Sequence, residues 1–221
     1  MSSTSTGFHK QTFEKTTEAR RSAVLAAATT MFANRGYEAT SINQVARQAG
    51  VSIGALYSYF ASKEDLFLAV VDSAYQVMEQ ALLEVAAAST DVYDYTERML
   101  AVCGRFAINH PELNQLYFTV VNLASPELSA RLSDQVESIT PQVLTDLVVK
   151  GKAEGIVRPD ADERAFAFCI DNLFVMYQFS FASDYHWERL RTYLGMNQVE
   201  DPSSVEARIR DFVYAALSVP T

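Results

Sequence analysis

Apolar positions in this chain recur every three or four residues and almost nowhere in strict alternation, which predicts helices throughout and no strands. Residues 17–34 carry Val24, Ala27, Ala28, Met31 and Phe32 on one face, and Gly36 is placed to end that helix. Ser41, with Gln44 three residues on, has the spacing of a capping box, and Ile42, Val45, Ala46 and Ala49 then share a face until Gly50. Ser52 is placed to cap a short helix over residues 53–59, with Leu56 and Phe60 as its inward anchors. Ser62, followed by Asp65, opens a fourth helix that runs without Gly or Pro to Ala88. Two short helices joined by a tight Gly-containing turn make a helix-turn-helix, whose second helix fits the major groove of DNA. The same spacing also fits an ordinary helical hairpin inside an all-α domain.

Beyond Ala88 the helical period resumes to Ile108 through Met99, Cys103 and Phe106, and Pro111 opens a further helix to Leu123. Ser125-Pro126-Glu127 repeats that start signal, and Pro141 marks either a kink or a fresh start. Gly155 ends this stretch, and a helix from Asp160 or Asp162 to Ser183 follows that is apolar nearly all round. Residues 184–202 read as a polar segment. The last helix, residues 203–217, carries a stripe of Val205, Ile209, Phe212, Val213, Ala216 and Leu217. Two terminal helices with more apolar surface than one subunit covers predict a twofold interface through Phe181, Ile209, Phe212, Val213 and Ala216.

Composition fits an all-α protein with a sizeable core: 221 residues, 49% hydrophobic, with only 8 Gly and 6 Pro. No uninterrupted apolar run approaches the ~18 residues of a membrane span, and the first ten residues lack an apolar signal core, so a cytoplasmic protein is expected. Cys103 and Cys169 lie in apolar helical contexts without partners at ligand spacing, and they read as free thiols rather than a disulfide or metal site. A net charge of −9 at first argues against a nucleic-acid partner. It is unevenly placed: residues 1–64 hold seven Lys/Arg against four Asp/Glu, or +3, which leaves −12 for the remainder. A basic head on an acidic body lets the head alone approach phosphate.

The residues of the helix-turn-helix carry a resemblance. Phe32, Gly36-Tyr37, Thr40, Val45-Ala46, Ala49-Gly50-Val51-Ser52, Gly54, Leu56-Tyr57, Tyr59-Phe60, Ser62-Lys63-Glu64 and Leu66 resemble the amino-terminal pattern of the TetR family of bacterial regulators. The likeness covers residues 17–68. It implies a three-helix DNA-binding head (16–64); residues 1–15, Ser/Thr-rich and without a helical period, read as a flexible arm before it. A helical body (65–221) would bind a small molecule and dimerise through a four-helix bundle. The implied protein represses or activates transcription from palindromic operator DNA and is no enzyme.

Candidate DNA-contacting residues follow. Thr40 and Ser41 present hydroxyls at a helix start, where backbone N–H groups also attract an anion. Asn43 and Gln44 are the nearest amides. Ser52, Ile53, Gly54, Ala55 and Ser58 occupy the recognition helix, in which Gly54 permits close approach and Ile53 and Ala55 suit thymine methyls. No Arg, Asn or Gln is present there for bidentate base reading, although many family members have a polar residue at the position of Ile53. By resemblance, Tyr57, Tyr59 and Lys63 touch phosphates, with inward packing of one tyrosine as the alternative.

For an apolar or aromatic effector the sequence offers Met99, Phe106, Tyr117, Phe168 and Met176, with Asn172, Gln178 and His110 as polar groups to orient it. Core packing accounts for most of the apolar ones. No cofactor-binding loop, metal-spaced cluster or nucleophile–base pattern stands out. The rival classes are an enzyme and a helical small-molecule-binding or oligomerising adaptor that does not read DNA.

Overall fold

The first long helix breaks where the sequence places Gly36, whose φ of +73° lies in the left-handed region that L side chains resist. The structure, a computed structural model, describes residues 8–121, 139–196 and 202–219. Among the described residues it is all-α, without strands. The helices are α1 (Gln11–Glu14), α2 (Glu18–Ala39, interrupted at Gly36), α3 (Ile42–Gln48), α4 (Ile53–Tyr59), α5 (Lys63–Ala88), α6 (Val92–Asn109), α7 (Pro111–Val121), α8 (Thr140–Ala153), α9 (Glu163–Ser180), α10 (Asp184–Leu194) and α11 (Pro202–Leu217). They divide into two units, Met1–Val77 with Gln115–Ser129, and Met78–Asn114 with Ala130–Thr221.

In the first unit, α3 packs on α2 and α4, and α1 packs on α4. Val24, Ala28, Phe32, Val45, Leu56, Phe60 and Phe67 are fully buried, and the Phe32 and Phe67 rings meet edge to face at 4.9 Å. Ser52 Oγ accepts from the Ala55 N–H at 3.1 Å and Ser62 Oγ accepts from Asp65 N–H at 3.0 Å, so both expected caps form. The expected capping box at Ser41 does not. Ser41 makes no side-chain cap bond, and the Gln44 amide oxygen instead accepts from Arg35 Nη1 at 3.1 Å.

Residues 8–15 correct the expectation of a flexible arm. Phe13 is buried against Tyr59 and Phe60, with ring centres 5.3 and 4.8 Å away, and burial of a phenyl group outweighs the cost of ordering one turn. The first seven residues of that expected arm lie outside the described residues.

The second unit is built around one hydrophobic cluster that includes Tyr95, Leu100, Leu144, Val148, Phe174, Tyr177, Val205 and Leu217. In it α9 packs on α6, α8 and α10, and α11 packs on α6. Pro141 starts a helix rather than kinking one: it sits in the first turn of α8, where its missing N–H costs nothing. The second start signal, at Ser125, lies outside the described residues. Gly155 closes α8 at φ +74°, with the Ile156 and Val157 N–H groups both donating to the Gly151 carbonyl. Asp162 caps α9 through the Ala165 N–H.

The segment read as polar contains a helix. In α10, Trp187, Leu190 and Leu194 recur at helical spacing and pack on the core cluster, a stripe masked by the charged residues between them. Gly195, at φ +65°, ends it.

By length and composition α5 is apolar enough to cross a membrane, with a mean hydropathy of 1.2 over 18 residues. Leu66–Val71 are all buried, however, so these turns are enclosed by protein and their apolarity is that of a core helix.

Candidate nucleic-acid interface

The helix-turn-helix points one face of α4 outward. Ile53 and Tyr57 are 45% and 48% exposed, one turn apart, although both are large and apolar. Ser52, Gly54 and Ser58 are exposed beside them, and Ala55 is half-buried. A Cβ built on Gly54 meets nothing within 4 Å, so this surface is open to a groove wall. The opposite face is anchored by Leu56 and Tyr59, both buried. Ser58 Oγ donates to the Ala55 carbonyl at 2.7 Å, and Asn43 is exposed on α3.

Two expected contacts are corrected. Thr40 is buried, and its hydroxyl donates to the carbonyls of Met31 and Gly36 at 3.0 and 2.8 Å, closing the end of α2 instead of facing solvent. Tyr59 is the inward tyrosine, 7% exposed against Phe13, whereas Tyr57 stays outward. Lys63, half-exposed, lies 4.5 Å above the Tyr37 ring and donates to the Glu38 carbonyl at 3.1 Å. Partial burial, with the Glu64 and Glu38 carboxylates nearby, raises the Tyr37 phenol above its usual range, so the ring stays neutral beneath the ammonium.

In the other unit the expected effector residues do not converge. Met99 is core and Phe106 is half-buried with its ring 5.1 Å from that of exposed His110, whereas Tyr117, half-buried on α7, belongs to the first unit. Phe168, Asn172 and Met176 lie on the outward face of α9, with Phe168 71% exposed and Asn172 Nδ2 donating to the Phe168 carbonyl. Residues three and four apart share a helix face, so this stripe is one surface rather than the wall of a pocket.

The register of α11 is also corrected. Val213 belongs to the core, Ile209 and Phe181 are half-buried against it, Ala216 is half-buried, and Phe212 alone of these points outward, 63% exposed. Beside Met176 and Phe212 runs an open groove of ≈ 410 Å³, also lined by Leu173, Leu190 and Leu194, with Arg189 and Arg208 on it.

Sequence reading missed Asn114. This amide is 1% exposed, and its Nδ2 donates to the Gln178 carbonyl at 3.1 Å while its Oδ1 has no hydrogen-bond partner among the described residues. A lone Asn four residues into a helix carries no sequence signal for that. Among the described residues no cluster of His, Cys, Asp and Glu has metal-binding geometry.

These features define a helix-turn-helix protein with a separate helical unit. Residues 24–70 match the family described as bacterial regulatory proteins, tetR family. The transcriptional repressor KstR2 of Mycobacterium tuberculosis is 30% identical over 165 residues, 71% of this chain and 78% of that relative. The transcriptional repressor NicS of Pseudomonas putida is 27% identical over 179 residues, 80% and 78% of the two chains. The regulator FadR of Bacillus subtilis, solved in complex with stearoyl-CoA, superposes with a TM-score of 0.70 at 15% identity, over 89% of this chain and 98% of that one. The chain belongs to the TetR family of transcriptional regulators.

Proposed function

We propose that this regulator is a repressor that binds palindromic operator DNA as a homodimer and is released by a small apolar or aromatic effector. The observation that carries the reading is the outward face of α4, where Ile53, Gly54, Tyr57 and Ser58 form an exposed, uncharged surface on a helix held by its buried face. Affinity then comes from phosphate contacts by Tyr57, Lys63 and backbone N–H groups near Ser41 and Ser52, and sequence is read by Ile53, Ala55 and Ser58 with Asn43. A code built on methyl contacts favours thymine-rich half-sites.

The head is residues 16–64 and the body 65–221, with α5 unbroken from one into the other. Dimerisation through the outward faces of α9 and α11 covers Phe168, Met176 and Phe212, the large apolar side chains those helices leave exposed. The names of two relatives support repression, and the bound stearoyl-CoA of a third supports an apolar effector. Asn114 Oδ1 supplies a buried acceptor for an effector hydroxyl or N–H. No catalytic role is assigned, and the cytoplasm is the compartment where such a protein meets its operator.

Selection of duplexes from a random-sequence pool tests the reading. The expected product is an inverted repeat with half-site centres about 34 Å apart, one helical turn. Retention of all sequences alike, or of none, would leave an adaptor that does not read DNA.

A further inference from the structure

The recognition helix is only two turns long, and a helix that short cannot satisfy its own C-terminal carbonyls. Its last turn carries no basic residue to oppose the negative end of the helix dipole. The deficit is met from 46 to 49 residues upstream. The Lys10 ammonium donates to the Tyr57 carbonyl at 2.8 Å, the Thr12 hydroxyl donates to the Ser58 carbonyl, and the Lys10 N–H donates to the Tyr59 carbonyl at 2.7 Å. Three consecutive carbonyls are taken in order, while Phe13 seats its ring against Tyr59 and Phe60. All of these donors lie before residue 17, ahead of the stretch that resembles the family and of the residues 24–70 that match it.

We propose that His9–Glu14 is a clasp that fixes the recognition helix, with Lys10 and Thr12 as positioning residues for sequence readout rather than as DNA contacts. The proposal rests on the DNA-binding reading above. A bidentate or methyl contact to a base edge tolerates little displacement, whereas a phosphate contact through a long side chain adapts. Loosening the C-terminal end of α4 therefore lowers affinity for a preferred sequence more than affinity for DNA in general. Had Lys10 been a phosphate ligand, its removal would weaken both alike and flatten the salt dependence.

The test compares wild type, Lys10→Met with Thr12→Val, and Lys10→Arg with Thr12 retained, all in the full chain. The first variant keeps side-chain volume and removes two donors; the second restores a cationic donor. The probes are the duplex that wild type selects from a random pool and a scrambled duplex of equal composition. With two helix-end hydrogen bonds lost, affinity for the selected duplex should fall roughly tenfold while the scrambled duplex changes less than about twofold. The slope of log affinity against log salt should stay unchanged, and Lys10→Arg should recover most of the loss. Amide exchange at Leu56 to Phe60 should rise in the double variant, with that of α3 unaltered.

An equal loss on both duplexes with a slope reduced by about one makes Lys10 a phosphate ligand and overturns the clasp. Unchanged discrimination with unchanged exchange in α4 overturns it too, as does a lower melting temperature with discrimination intact. If wild type selects no duplex at all, the DNA-binding reading fails instead, and exchange in α4 alone still decides whether the clasp exists.

Discussion

The Lys63 ammonium stands 4.5 Å above the centre of the Tyr37 ring and donates to the Glu38 carbonyl at 3.1 Å, which ties the start of α5 to the end of α2. An ammonium has three donors, and this arrangement uses one of them and holds the others in a fixed direction. The ring contact contributes about 0.5–1 kcal/mol at a partly exposed site. A preset lysine at the border of a helix-turn-helix can meet a phosphate with little further ordering cost.

Two substitutions separate the charge from its positioning. Lys63→Ala should weaken binding to all duplexes alike and lower the log-salt slope by about one. Tyr37→Leu keeps the charge and an apolar contact for Phe67, so it should weaken binding by severalfold with the slope intact. A Lys63→Ala protein with an unchanged slope would show that this lysine serves only the fold.

The second prediction concerns the dimer and turns on adjacent residues of α11. Phe212 is 63% exposed and Val213 is 1% exposed, so the two should fail in different ways. Phe212→Glu places a charge in the proposed interface, at a cost of several kcal/mol to association. Sedimentation should show monomer with the helical content kept. Val213→Ala should leave the dimer and cost about 2 kcal/mol in unfolding free energy through the cavity it opens. A dimer that survives Phe212→Glu moves the interface off this face.

That pair also shows where sequence pattern stops being enough. Val205, Ile209, Phe212, Val213, Ala216 and Leu217 read as one stripe, because a period of three to four residues locates an apolar arc without dividing it. Its division into a core side and an outward side depends on the rotation of α11 against α6 and α9, a tertiary quantity. The same limit moved Phe168, Asn172 and Met176 from an expected pocket to an outward surface. The caps at Ser52, Ser62 and Asp162 and the stops at Gly36, Gly50 and Gly155 are local chemistry, and each of these lies where the residue type demands. The clasp had no local sign at all: Lys10 and Thr12 look like any polar tail until α4 is brought beside them.

The last prediction follows from the buried thiol of Cys103. Its environment combines complete burial with the carboxylates of Asp171 and Glu206, and burial is the larger cause that pushes its pKa up from 9.0 to about 12. Nearby, the Tyr177 hydroxyl donates to Glu206 Oε1 at 2.9 Å, and Cys103, only 5% exposed, gives a thiolate little access to water. Below pH 9 the thiol is protonated in both folded and unfolded chains, and its contribution does not vary. Above pH 9 only the unfolded chain releases the proton, so stability should fall as pH rises towards 12. Between pH 8 and 10 the loss from this group should be about 1 kcal/mol, read as a shift in urea midpoint. Tyr95 is raised as well, chiefly by burial, and it adds a loss of the same sign at higher pH. Cys103→Ala should remove the thiol's share of this decline and leave the phenols' share, which grows as they ionise around pH 10. In the native protein at pH 8, iodoacetamide should leave Cys103 unmodified, whereas outward-facing Cys169 should react, and faster once Phe212→Glu has opened the proposed interface. Rapid alkylation of Cys103 in the folded state, or an alkaline decline unaltered by Cys103→Ala, would mean that this part of the core admits water.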